Sequence, residues 1–133
     1  MPRSFQIFAV FASAAILATA TTRAHESPEH SVIELTAHIH TDYTPDNLYQ
    51  RAIAYRALGQ LDKATCDLKS AISLSPQDIT YQLELSRTEL AAAKPGEALH
   101  SANSALKLAK SPNLRATCHM LRAEAYHRTN QFK

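Results

Sequence analysis

One phrase is written twice in this chain: YQRAIAYRALGQL at residues 49–61 and MLRAEAYHRTNQF at residues 120–132. In register, Arg51 matches Arg122, Ala52 matches Ala123, Ala54 matches Ala125, Tyr55 matches Tyr126 and Gln60 matches Gln131. Gly59 and Asn130, which also align, both tolerate left-handed backbone. A recurring phrase of this kind signals an internal repeat. A repeat constrains the fold strongly, because each unit must bury its apolar face against its neighbour.

The first copy extends through PDNLYQRAIAYRALGQLDKATCDLKSAISLSP, which carries two helical patterns back to back. Thr44 can cap the first, with Pro45 in its first turn, where a missing N–H costs nothing. Leu48, Ala52 and Tyr55 share one helical face. The break falls at Gly59, and the second helix carries Leu61, Ala64, Leu68, Ala71 and Ile72 as a stripe. It ends before Pro76, leaving Ser75 to cap the next helix.

This copy resembles a tetratricopeptide repeat (TPR), a helix–turn–helix of 34 residues. Leu48, Ala52, Tyr55, Gly59, Ala64, Leu68, Ala71 and Pro76 hold the motif positions, with Leu48 in place of the usual aromatic. Alanines let two helix backbones approach, and Tyr55 and Leu68 fill the space beside them. The second copy, from Ile79, is degenerate. Leu85 and Ser86 keep the packing positions, Glu89 replaces the Tyr, Ala93 replaces the Gly, and Ala98, Ala102 and Ala105 restore the small-residue face. Pro95 opens its second helix. The third copy, offset by 37 residues, keeps Ala123, Tyr126 and Asn130.

The resemblance implies an all-α fold, a right-handed α-solenoid of antiparallel helix pairs, with repeats over residues 45–78, 79–115 and 116–133, the last incomplete. Residues 25–43 form a lead-in and one leading helix over SVIELTAHIHTDY, with Val32, Ile33, Leu35 and Ile39 available for packing. HESPEH, residues 25–30, is expected to be flexible.

Residues 1–24 read as a secretory signal peptide: basic Arg3, an apolar run from Phe5 to about Ala20, then small residues. Cleavage after Ala20 or Ala24 is expected to release the chain to the periplasm or the exterior. The run is short for a membrane span, so no stable insertion is expected after cleavage, although an uncleaved anchor remains an alternative. No Cys precedes Cys66 to accept a lipid anchor. Removing residues 1–24 deletes Arg3 and Arg23 and leaves 12 basic against 12 acidic residues. A neutral exported chain is a poor nucleic-acid binder. Acids gather before Arg51 and bases after Lys107, so one end should be acidic and the other basic.

Chemistry finds little purchase in this sequence. His38 and His40 point about 200° apart on a helix and cannot share an ion, so neither metal nor cofactor is expected. Cys66 and Cys118 are separated by a whole repeat, and free thiols are expected in preference to a bridge. Glu84, Glu89 and Glu97 are spaced like charges on a helix surface. No Gly-rich phosphate loop or catalytic constellation is present, and no enzyme activity is expected.

The remaining asset is surface. The resemblance implies a concave side lined by the first helix of each repeat. It places there Asp46, Tyr49, Ile53 and Arg56, then Leu83, Arg87 and Leu90, then Met120, Glu124 and His127. That mixture suits a protein partner or an extended or helical peptide. Tyr49 and Ile53 occupy positions where some family members use Lys and Asn to clamp a C-terminal carboxylate, so that specialisation is not expected. Ala123 and Tyr126 are patterned for a further helix. The alternatives are therefore a structural or self-associating module, the front part of a longer repeat protein, or an N-terminal metal binder.

Overall fold

The computed structural model describes residues 27–131, which form six α-helices and no strand. They are α1 (Pro28–Thr41), α2 (Pro45–Ala57), α3 (Leu61–Leu74), α4 (Ile79–Ala91), α5 (Pro95–Leu108) and α6 (Pro112–Gln131). Each helix packs on the next in sequence, and α4 also touches α6. The expected signal peptide and its cleavage sites lie outside the described residues.

Helices α4 and α5 begin and end 34 residues after α2 and α3. Their turns repeat bond for bond. The N–H of Gly59 reaches the carbonyl of Arg56 at 3.0 Å and that of Gln60 reaches Tyr55 at 2.8 Å. Ala93 to Leu90 (3.1 Å) and Lys94 to Glu89 (2.9 Å) copy them. These bonds satisfy carbonyls that the ending helix leaves open, and they require a left-handed residue after the last turn. Gly59 supplies φ +71°, and Ala93 supplies φ +56° despite its methyl group.

Caps fix the other ends. Thr44 Oγ1 accepts from the Asn47 N–H at 3.3 Å, with Pro45 opening α2. Asp78 Oδ1, rather than Ser75, caps α4 by accepting from Thr80 at 2.8 Å. Ser75 instead closes α3, its N–H on the Ala71 carbonyl. Asp is at least as good a cap as Ser, and here it stands immediately before the helix.

The core consists of alanines at contact points and leucines beside them. Ala52, Ala64, Leu68 and Leu85 form one buried cluster joining α2, α3 and α4. Leu48, Ala71 and Tyr81 form a second, with Ile39 of α1 packed on it. The third joins α4, α5 and α6 through Leu83, Leu90, Ala98, Ala102, Ala105, Cys118, Leu121 and Ala125. Ser86, in the slot of Ala52, is buried and donates its hydroxyl to the Ala98 carbonyl at 2.9 Å. Truncating fully buried Leu68 to Ala should cost about 2–5 kcal/mol, since neighbouring helices cannot close the void.

Several expectations change. Helix α1 starts at Pro28, capped by Ser27, so His30 is helical. Ile33 is 70% exposed and does not pack. Tyr55 is only half-buried, its ring flanked by the Arg51 guanidinium at 5.6 Å and the Lys63 ammonium at 5.4 Å. No turn forms at Asn130, because α6 runs on to Gln131. Asn tolerates left-handed backbone without demanding it. Glu84 and Glu89 are buried rather than surface charges. Helix α4 is central, with neighbours on several sides, so its polar positions are covered too.

The repeated phrase keeps its helical character but not its orientation. In α6, Cys118, Leu121 and Ala125 are buried against α5. Their counterparts in α2, Asn47, Gln50 and Ala54, line the groove toward α1.

A candidate protein-binding face on α2, α4 and α6

Glu84 organises the meeting of α2 and α4. Its carboxylate is buried, and its Oε1 receives Arg56 Nε at 2.6 Å. Arg87, one turn along α4, approaches Oε2 through Nη1 at 3.4 Å. Two guanidinium groups thus share one carboxylate. Their side chains remain 38% and 45% exposed. A guanidinium has five N–H donors, so both retain donors for a ligand.

Beside this cluster the Tyr49 and Tyr81 rings meet at 5.4 Å with a 50° tilt. The Tyr81 hydroxyl donates to Asp46 Oδ1 at 2.6 Å. Burial foremost, and then that bond to a carboxylate, holds Tyr81 well above the ordinary phenol value. Tyr49 is also pushed up, mainly by burial and then by the negative charge of Glu84. Both rings are therefore neutral hydrogen-bonding groups at physiological pH.

Asp46, Tyr49, Arg56 and Arg87 are accordingly brought together. Tyr81 and Glu84 complete the group and were not anticipated, since no short-range pattern links Glu84 to Arg56 across 28 residues. Ile53 turns toward α1 and lines an open groove of ≈ 530 Å³ with Leu35, Gln50 and Ala57. Leu83 and Leu90 are corrections: both are buried against α5 and α6 and present no surface. Met120, Glu124 and His127 are exposed on α6. Arg128 pairs with Glu124 at 2.6 Å and donates to the Leu90 carbonyl at 2.8 Å. That places a cation at the negative end of α4.

A second open groove, ≈ 550 Å³, lies between α3, α4 and α5, lined by Lys69, Gln82, Glu89, His100 and Ser101 among others. Glu89 Oε2 accepts from Ser101 Oγ at 2.6 Å. Burial raises the Glu89 carboxyl above the ordinary range despite that bond.

Cys66 is exposed and Cys118 buried, and both are free. Burial pushes the Cys118 thiol up, away from the reactive thiolate. His38 and His40 are both exposed on α1, with His38 Nε2 3.8 Å from Glu34. Among the described residues no cluster of three or more His, Cys, Asp or Glu could hold a metal ion. No helix there is long and apolar enough to cross a membrane.

Compared with known proteins, the chain matches no family model and no curated protein.

Proposed function

We propose that this chain is an exported TPR-like repeat module that binds a protein or peptide segment through the face built on α2, α4 and α6, with no catalysis of its own. The 34-residue spacing of α2–α3 and α4–α5, with matching turns, supports the family-level reading. The α-solenoid arrangement, with this face on its concave side, belongs to the same reading.

The observation that carries the binding role is the pair of half-exposed arginines around one buried carboxylate, next to the Tyr49 ring. Three charged groups of which two are cationic leave a local surplus of positive charge. The ligand that suits it is a peptide segment with an acidic side chain for Arg87 and an apolar one for Tyr49. Arg and Tyr are also the residue types that most often dominate binding energy at interfaces.

The test is affinity capture on the immobilised chain, comparing the parent with Tyr49→Ala/Arg87→Ala. Partners retained by the parent and lost by the double variant, with an unchanged melting curve, support this face. Retention of every partner removes it. Export is tested separately by the mass of the secreted or periplasmic product, expected to begin at Thr21 or His25. A second reading, a self-associating structural module, draws on the exposed Met120 and Tyr126 of α6.

A further inference from the structure

Arg51 and Arg122 occupy the same place in the repeated phrase and have different fates. Arg51 binds Asp67 of α3 with two bonds, Nε to Oδ2 at 2.7 Å and Nη2 to Oδ1 at 2.8 Å. Its Nη1 donates to Thr36 of α1 at 3.2 Å. Arg122 Nε is buried yet has no hydrogen-bond partner. A buried guanidinium N–H without an acceptor is costly, and such orphans are rare in folded proteins.

The neighbours of Arg122 follow the same contrast. Ala52 is buried under Ala64 and Leu68 of α3, whereas Ala123 is exposed. Tyr55 is half-buried beside α3, whereas Tyr126 is 50% exposed. Among the described residues, α6 packs on α5 and α4 and nothing covers the face that carries Arg122, Ala123 and Tyr126. The face is small-residue and apolar, with an orphaned cation at its margin. Its internal counterpart shows what such a face accepts: a helix with Ala and Leu in the stripe and a carboxylate between them.

The geometry points to a docking site on the outer face of α6 for an amphipathic helix of a partner chain, patterned like α3 and supplying an Asp or Glu to Arg122 in the register in which Asp67 meets Arg51. Charge selects this occupant over a second copy. The outer stripe of α6 offers Arg115, His119 and Arg122, so a partner that brought the same stripe would oppose like charges. This interface is distinct from the Arg56–Glu84–Arg87 cluster and does not depend on it.

The probe is a synthetic peptide with the sequence of residues 61–74, LDKATCDLKSAISL. It is cross-linked between the positions of Lys69 and Ser73, both away from the buried stripe of α3, because a free helix of this length is marginal in water. Titrated against the full chain and read by fluorescence anisotropy, the peptide should bind. Arg122→Gln should weaken it about 10-fold or more, and the peptide's own Asp67→Asn change should do the same. Combining the two should weaken binding little beyond either alone, the mark of a direct pair. Ala123→Arg, at an exposed position, should block the face outright, while circular dichroism confirms that each variant is folded. Absence of binding, or binding indifferent to Arg122 and Ala123, overturns the proposal. So does dimerisation of the chain alone, measured by sedimentation, that Ala123→Arg abolishes, because the face would then belong to a second copy.

Discussion

Gly59 and Ala93 stand 34 residues apart at the same point of two matching turns, both in the left-handed region. Only one of them is glycine. A left-handed L-residue costs about 1–2 kcal/mol. No atom lies within 4 Å of a Cβ built on Gly59, so the backbone angle alone decides the effect there. Gly59→Ala should therefore destabilise by about 1 kcal/mol. Ala93→Gly should stabilise by about 0.5–1 kcal/mol, the gain being reduced by the extra freedom of glycine in the unfolded chain. Thermal melts should move in opposite directions, by about 4–8 °C per kcal/mol. A destabilised Ala93→Gly would mean that the turn is not left-handed in solution.

The Arg51–Asp67 pair predicts a larger loss. Both side chains are largely buried, and the pair joins α2 to α3 while Thr36 ties in α1. The hydrogen bonds to Asp67, the chief cause, raise the Arg51 guanidinium even further above its ordinary value. Asp67→Asn keeps the shape and removes the charge, leaving a buried cation. About 2–4 kcal/mol should be lost, as expected for breaking one side of a buried pair. Arg51→Met/Asp67→Leu should recover much of it, because exchanging both partners for apolar groups removes the unpaired charge. Urea titration of the single and double variants measures both values.

The helices and their alanine contacts were legible because local rules carry them. Thr44-Pro45, Gly59 and the Ala stripes act through neighbours within one turn of helix. The buried charges were not. Glu84 and Glu89 have the spacing of solvated residues, and only the crowding of α4 covers them. The same crowding buried Leu83 and Leu90, which a repeat pattern alone assigns to the surface. Conversely, Ile33 has the composition of a core residue but sits on the outer side of an edge helix. Sequence periodicity identifies a face; the number of neighbours decides whether that face is wet.

Glu89 makes stability depend on pH. Burial raises its carboxyl, with the Glu97 charge adding to the shift, while the Ser101 bond and then Lys69 and His100 oppose it. A raised acid holds its proton more tightly in the folded state than in the unfolded one. Its stabilising effect is complete below the unfolded value of about 4.3 and is lost as pH rises through the folded value. Glu89→Gln can still accept from Ser101 and carries no charge. The variant should match the parent near pH 4 and melt higher than it at pH 7. Equal melting temperatures at both pH values would show that Glu89 ionises freely.

Arg56 and Arg87 share Glu84 but should separate in experiment. Arg56 makes the short bond, 2.6 Å, and its removal leaves a buried carboxylate with one distant partner. Arg56→Ala should cost about 2–3 kcal/mol and weaken ligand capture only in step with unfolding. Arg87 is more exposed, and its 3.4 Å contact contributes little to folding. Arg87→Ala should stay within about 0.5 kcal/mol of the parent, the usual range for an exposed substitution. On the proposed binding face it should nonetheless reduce peptide affinity, through the loss of donors that α4 directs outward. Parallel melts and binding isotherms of the two variants provide the check. Capture that follows stability for both variants would give the whole cluster to the fold and move the ligand elsewhere.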